Sequence, residues 1–216
     1  MDREAINEIR ASRTGYNERG AEYYFKVFNL GENGEAVKGR RILDVGAGQS
    51  NFADTVNSLY GENTVVRVDP FYPENPPTNV NGAVTATAQV LPFRDEALDE
   101  VLALWSVYWV KHDLDKALQE MLRVTKRGGK VKIRPALVKK FMPNPLELSD
   151  LIHLYPFQEP SREYYYTAEI DKNDQATEER LAQEIKKLTE FLDFSPGNKT
   201  LQNDNFSILG NKSKVW

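Results

Sequence analysis

The chain has 216 residues, a formal net charge of −4 and no cysteine. That length suits one domain with a substantial core, the charge gives no electrostatic reason to expect nucleic acid, and the missing thiols exclude disulfides and thiolate-held metals. The longest apolar run, Val101 to Val110, is ten residues broken only by Ser106, where a membrane span needs roughly 20.

The charged start, Met1 to Arg10, lacks the apolar core of a signal peptide, so a cytoplasmic protein is expected. Residues 2–10 and 17–30 read as two helices split by Ser12 to Gly15. The second is rich in aromatics: Tyr23, Tyr24, Phe25 and Phe28. These dock the helix on the domain or, with Tyr16, form a flap over a ligand. Gly31 to Gly34 ends it. Ile42 to Val45 is an apolar run with the character of a buried strand. It is followed by Gly46 and Gly48, then by a helix over about Asn51 to Tyr60. A strand, a glycine turn and a helix in succession allow close approach of backbone to a ligand.

Thr64 to Val68 is β-branched and predicts a second strand, stopped at Asp69-Pro70. Phe71 to Gly82 is a long loop, Ala83 to Thr87 a short third strand, and Leu91 to Asp95 a turn. Asp99 to Trp105 is a fourth strand buried on both faces. Asp113 is placed to cap a helix over Leu114 to Val124, with Leu114, Ala117, Leu118, Met121 and Leu122 as its buried stripe. Lys126 to Gly129 ends that helix, and Lys130 to Arg134 is strand five. This alternation predicts a doubly wound, mostly parallel sheet with helices on both faces, and a ligand site beyond the carboxyl ends of the strands.

Residues 135–176 break the rhythm with five prolines, a short helix predicted at Leu146 to Tyr155, and the aromatic run Tyr164 to Tyr166. Thr177 opens an amphipathic helix with Leu181, Ile185, Leu188 and Leu192 as its stripe. Lys199 to Gln202 and Asn205 to Gly210 read as short strands at an antiparallel edge. The expected fold is therefore α/β and Rossmann-like, with a seven-stranded sheet in a single domain. Its parts are an N-terminal helical cap (1–40), a cofactor-binding core (41–134), an insertion over the acceptor site (135–176), and a final helix with edge strands (177–216).

Two ligands commonly use a strand, a glycine turn, a helix and an acid ending strand two. A dinucleotide wants Gly-x-Gly-x-x-Gly beside its pyrophosphate; here the third position is Asn51, and Asp44 precedes the turn. A carboxylate there suits the cationic groups of S-adenosylmethionine, and Asp69 is placed to accept hydrogen bonds from ribose hydroxyls.

From Arg41 to Arg134 the chain resembles the class I S-adenosylmethionine-dependent methyltransferases, especially the small-molecule branch that includes ubiquinone-biosynthesis-type enzymes. The matching residues are the acid-x-Gly-x-Gly turn Asp44 to Gly48, the acid Asp69, and the turn Leu91 to Phe93 followed by Leu98-Asp99. To these add the helix end Glu120 to Val124 and the Lys-x-Gly-Gly turn Lys126 to Gly129. The resemblance implies that Gly46, Ala47 and Gly48 lie under the methionine part, with Asp44 beside its cationic groups. It further implies that Asp69 binds the ribose, Pro70 and Phe71 flank the adenine, Ala88 and Gln89 line the adenine side, and Leu104 and Trp105 sit beside the methionine part. The chain departs from the pattern at Thr87, where the family often has Asp, at Tyr108-Trp109, where a His-His pair is frequent, and at Ser50 in the turn.

The implied activity is methyl transfer to a small-molecule acceptor by in-line displacement, with S-adenosylhomocysteine as product and no metal. Most of the protein's work is then positioning. His112 is a candidate general base, though as a loop residue beside Asp113 it has an ordinary structural role open to it. Tyr108 and Trp109 wall the acceptor pocket or belong to the core. His153 is read as surface or packing. Tyr155, Phe157 and Tyr164 to Tyr166 point to an aromatic or apolar acceptor. The basic residues from Lys126 to Arg134 read as a solvated turn and edge. Two other readings stand beside this one: a methyltransferase-like binding or assembly protein without turnover, and an NAD-dependent oxidoreductase.

Overall fold

Alternation along the central strands sends successive side chains to opposite faces of one sheet, and the two faces are built differently. The computed structural model describes residues 20–62, 64–73, 81–107, 110, 113–136, 146–147, 149–158, 164–173 and 177–191. Outside them lie the expected helix at 2–10, Tyr16, Tyr108, Trp109, His112 and the strands expected at 199–202 and 205–210.

The elements in chain order are α1 (Ala21–Val27), a 3-10 turn (Glu35–Val37), β1 (Ile42–Val45), α2 (Phe52–Tyr60), β2 (Val65–Val68), β3 (Ala83–Val84), β4 (Leu98–Leu104), α3 (Leu114–Val124), β5 (Thr125–Ala136), β6 (Leu146–Glu147), β7 (Ile152–Gln158), β8 (Tyr164–Lys172) and α4 (Glu178–Phe191). They form one sheet in the order β3-β2-β1-β4-β5-β8-β7-β6. The first five strands pair in parallel; β8, β7 and β6 run antiparallel. The Rossmann-like class is as expected, and the described residues supply eight strands. Winding reverses between β1 and β4, which sets the ligand crevice above their carboxyl ends.

Leu43, Val45, Val68, Val101, Ala103, Val131 and Ile133 face α3 and α4 in one continuous apolar core. Ile42, Val65, Leu102 and Leu104 face α1 and α2 in a second. On this second face the apolar cover stops at β5. Lys130, Lys132 and Arg134 alternate with its core residues, and a ladder of charges crosses the sheet there. Arg40 pairs with Glu100 at 3.2 Å, Glu100 with Lys132 at 2.7 Å, Lys132 with Glu169 at 3.6 Å, Glu169 with Lys130 at 2.5 Å, Lys130 with Asp171 at 3.2 Å, and Asp171 with His153 at 3.3 Å. Partial burial works against the Lys130 ammonium, but bonds to Glu169 and Asp171 outweigh it and hold its pKa above the ordinary value.

Three local expectations are corrected. Leu146 to Tyr155 is not a helix: β6 and β7 occupy it, because Ile152 and Leu154 enter the core while His153 and Tyr155 stay on the charged face, a period of two. Asp113 occupies the N-cap position of α3 but makes no side-chain capping bond. Lys126 to Gly129 is a bulge inside β5 and not a separate turn, since Leu98 pairs with Thr125 and Glu100 with Lys130. Gly128 there has φ +78°, and a Cβ on Gly129 would lie 2.5 Å from the Asp99 carbonyl oxygen, so each glycine answers a different steric demand. Lys172 then caps the end of α3 by donating to the carbonyls of Leu122 and Thr125 at 3.0 and 2.7 Å.

The ladder gives a stability prediction. Lys132→Ala leaves Glu100, 1% exposed, without its nearest cation and should cost about 3–5 kcal/mol in chemical denaturation. The double variant Glu100→Gln with Lys132→Met should recover most of that loss. An unchanged denaturation midpoint in the single variant would show that the pair contributes nothing.

Candidate functional site

The turn after β1 is knotted onto the end of β2. The amides of Gly46 and Ala47 both donate to the Val68 carbonyl, at 2.7 and 3.1 Å. The next amide, Gly48, donates to Asp69 Oδ2 at 2.9 Å, and the Phe71 amide donates to Asp69 Oδ1 at 2.9 Å. Asp69 is 1% exposed. A pyrophosphate-binding turn works by aiming successive amides at the anion. Here Gly46, Ala47 and Gly48 spend theirs inside the protein, on the Val68 carbonyl and the Asp69 carboxylate. Gly46 and Gly48 have φ of +70° and +53°, the left-handed conformation that this reversal requires.

Asp44, also 1% exposed, projects to the face covered by α1, where Tyr24 Oη donates to its Oδ1 at 3.1 Å. The Tyr24 ring stacks on Phe52 of α2 with centroids 4.3 Å apart, and Phe25 meets the same ring edge-on at 6.1 Å. Asn51 accepts from the Ala21 amide at 2.9 Å, so a residue of the glycine turn caps α1. At the other end of α1, Lys132 Nζ donates to the Phe28 carbonyl at 3.1 Å and Thr167 Oγ1 to the Val27 carbonyl at 2.9 Å. A seven-residue helix is too short to be stable alone; this one is fastened at both ends by the sheet and its turn. The sequence marked the aromatics of this helix as docking groups. That Tyr24 reaches a site carboxylate has no signal in the spacing.

At the exit of β4, Leu104 is fully buried in the core under α1 and α2, and Trp105 is half-buried at its edge. Trp105 has φ +57°, a left-handed conformation costly for a bulky residue. Its amide donates to the Arg134 carbonyl at 2.5 Å. The Arg134 guanidinium, fully buried, approaches Tyr23, with Nε 3.4 Å from the phenol oxygen and the group 5.9 Å from the ring centroid. The chain reversal at Trp105 lays Ser106 on Gly46. A Cβ on Gly46 would lie 2.2 Å from Ser106 Cβ and 3.0 Å from Oγ. Ser106 Oγ is buried and has no hydrogen-bond partner among the described residues. Sequence reasoning passed over Ser106 as a break in an apolar run. Pro70 and Phe71, half-buried, follow Asp69 directly, and Ala88 and Gln89, also half-buried, lie in a turn closed by the Thr87–Val90 bridge.

The other residues that carried the family resemblance form a clamp. Arg123 donates to the carbonyls of Phe93 and Leu91 at 2.8 and 3.0 Å and pairs with Asp95 at 2.6 Å and Glu120 at 2.7 Å. Glu120 accepts from the Leu91 amide at 3.0 Å. The Leu91 to Asp95 turn is thus held to α3 by both members of the pair. The bond from Arg123 holds the Glu120 carboxyl below its ordinary value of 4.5 against the opposing effect of burial, helped by the Leu91 amide.

Two outcomes follow for variants. A carboxyl with a lowered folded pKa contributes stability that is present above its unfolded value and lost as pH falls through the folded one. Arg123→Ala should therefore cost about 2 kcal/mol near neutrality and flatten the decline in stability expected of the wild type below about pH 5. Denaturation at several pH values would check both; parallel pH profiles would mean the pair is not coupled. Tyr24→Phe keeps the stack but removes the donor to Asp44, and should cost about 1–3 kcal/mol by the same measurement.

Among the described residues no group of three or more His, Asp or Glu side chains is placed to hold a metal ion, and no helix is long and apolar enough to cross a membrane. Residues 43–133 match the family model described as "Methyltransferase domain". No curated protein matches the chain. Among solved structures, the YcgJ protein of Bacillus subtilis is 26% identical over 46% of this chain and 45% of its own, with a TM-score of 0.37. The chain thus spans less than half of that protein. A SAM-dependent methyltransferase of Aquifex aeolicus is 17% identical over 69% of this chain and 89% of its own, TM-score 0.47. An arsenic(III) S-adenosylmethionine methyltransferase of Chlamydomonas reinhardtii is 15% identical over 65% and 66%, TM-score 0.44. Such shape likenesses place no residue, and the assignment rests on the family match. Residues 43–133, which include the glycine turn, are thus similar to the methyltransferase-domain family.

Proposed function

We propose that the chain binds S-adenosylmethionine across the carboxyl ends of β2, β1 and β4 and directs methyl transfer to a small-molecule acceptor. The observation that carries this reading is the use of the Gly46, Ala47 and Gly48 amides within the fold. It leaves the crevice bordered by Asp44 and Asp69 without an anion-binding nest, a setting that favours a cationic nucleoside over a pyrophosphate. The same observation weighs against the NAD-dependent oxidoreductase.

In this reading the Asp69 carboxylate, which also takes the Gly48 and Phe71 amides, accepts hydrogen bonds from the ribose hydroxyls. Pro70 and Phe71 flank the adenine, with Ala88 and Gln89 on its other side. Gly46, Ala47 and Gly48 lie below the methionine part, Asp44 on its cationic side, and Leu104 and Trp105 at its far wall. When bound, S-adenosylmethionine supplies a methyl group already activated on a sulfonium. The protein's share is to align an acceptor in line with that bond and to exclude water. The segment 135–176 and the N-terminal residues are assigned to the acceptor side, with Tyr108 as a wall and His112 as a base where the acceptor must lose a proton. An aromatic or apolar acceptor fits the exposed Tyr155.

Cofactor binding without turnover is the second reading. It is favoured by Thr87, an exposed residue that offers no carboxylate where family members bind the adenine amine. Methyl transfer to any member of a broad acceptor panel would remove it.

Titration calorimetry with S-adenosylhomocysteine tests the main proposal. Binding is expected, and Asp69→Asn should weaken it by about 1–3 kcal/mol in a protein shown by its melting curve to be folded. No binding at millimolar ligand, or tighter binding of NADH, would overturn the reading.

A further inference from the structure

We infer that Thr167, on β8, is a positioning residue for the Asp44 carboxylate and acts through α1: it fixes the height of the helix, and the helix delivers the Tyr24 hydroxyl to Asp44. The effect on ligand affinity rests on S-adenosylmethionine being the cofactor.

The carbonyls at the end of α1 show how the helix is held. A helix leaves its last four carbonyls without intrahelical partners. Those of Tyr24, Phe25 and Lys26 are taken by the chain itself, through the amides of Phe28, Leu30 and Asn29 at 3.1, 2.8 and 3.4 Å, as Asn29 turns the backbone at a left-handed φ of +51°. The carbonyls of Val27 and Phe28 are met instead by side chains of the sheet, Thr167 Oγ1 at 2.9 Å and Lys132 Nζ at 3.1 Å. These donors stand on neighbouring strands, since Lys132 is in register with Glu169, two residues from Thr167 and on the same face. Lys132 also answers to Glu100 and Glu169. Thr167 is uncharged and buried, and its hydroxyl is spent on α1. Valine would suit the strand as well, so the hydroxyl needs a reason of its own.

The reason lies three residues back along the helix, about 4.5 Å along its axis. Tyr24 Oη reaches Asp44 Oδ1 at 3.1 Å, a bond with little slack before it is lost. The apolar packing of Phe25 and Phe28 is non-directional, so polar bonds set the fine position. The Ala21 amide on Asn51 fixes one point of the helix; the two donors on β5 and β8 fix its axis. Asp44, buried beside the glycine turn, is thereby oriented from two strands that do not adjoin β1.

Titration calorimetry with S-adenosylhomocysteine on a double-mutant cycle tests the link. The proteins are wild type, Thr167→Val, Tyr24→Phe and the pair, with Thr167→Ala as a second removal of the hydroxyl and Thr167→Ser as the variant that keeps it. Each is titrated where its melting curve shows it folded. Thr167→Val, Thr167→Ala and Tyr24→Phe should each lose about three- to tenfold in affinity, and Thr167→Ser should stay within about twofold of wild type. In the Tyr24→Phe background, removing the Thr167 hydroxyl should change affinity little further, because the bond it positions is already gone. Wild-type affinity in Thr167→Val and Thr167→Ala overturns the inference and leaves the cofactor reading intact. So do losses that add in the pair, or no recovery in Thr167→Ser, since either makes Thr167 a support of the fold alone. A wild type that binds no S-adenosylhomocysteine overturns the cofactor reading, and this inference with it.

Discussion

The site depends on a carboxylate that the protein uses on itself. Asp69 joins the end of β2 to the turn after β1, through Gly48 on one oxygen and Phe71 on the other. With the Val68 carbonyl it absorbs the amides of Gly46, Ala47 and Gly48. A parallel pair of strands ends in loops that must reverse independently; here the two reversals are cross-tied. The consequence is electrostatic. The same sequence pattern that elsewhere makes a phosphate cradle makes, in this chain, a turn flanked by two buried acids, Asp44 and Asp69. Which kind of ligand the turn accepts is decided by where its amides go, and glycine spacing alone does not specify that.

The tie also explains why α1 belongs to the site. Asn51, next to the turn, caps α1, while Tyr24 lies between Asp44 and the Phe52 ring. Because Lys132 and Thr167 hold the other end, α1 is registered against β5 and β8 as well as against the turn. A shift of the helix by one turn would break the Asn51 cap, the Asp44 bond and the Lys132 contact together.

Much of the parallel half was legible because its signals are local. Ile42 to Val45 and Leu114 to Val124 were readable to the residue from an apolar run before glycine and from a 3.6-residue stripe. The spacing of Asp44, Gly46, Gly48 and Asp69 was legible as a pattern, but the contacts these residues make within the fold were not. What failed was non-local. β7 alternates Ile152, His153, Leu154 and Tyr155 over too few residues to distinguish a strand from one helical turn, and what settles it is pairing with β8 on one side and β6 on the other. The charge ladder joins Arg40, Glu100, Lys130, Lys132 and Glu169, residues whose separation along the chain hides any pattern. Ser106 was invisible for the opposite reason: one small polar residue in an apolar run carries no period at all, and its meaning comes from the φ of Trp105 and the absence of a side chain at Gly46.

The two faces of the sheet also locate the crevice physically. One face is apolar from β2 through β7 under α3 and α4. The other is apolar only where α1 and α2 cover it, and gives way to the charge ladder from β5 onward. β4 is the boundary strand: Leu102 and Leu104 belong to the apolar part, and Glu100 begins the ladder. Its exit, at Trp105 and Ser106, is where a packed interior meets buried charge, with Arg134 and Tyr23 beside it.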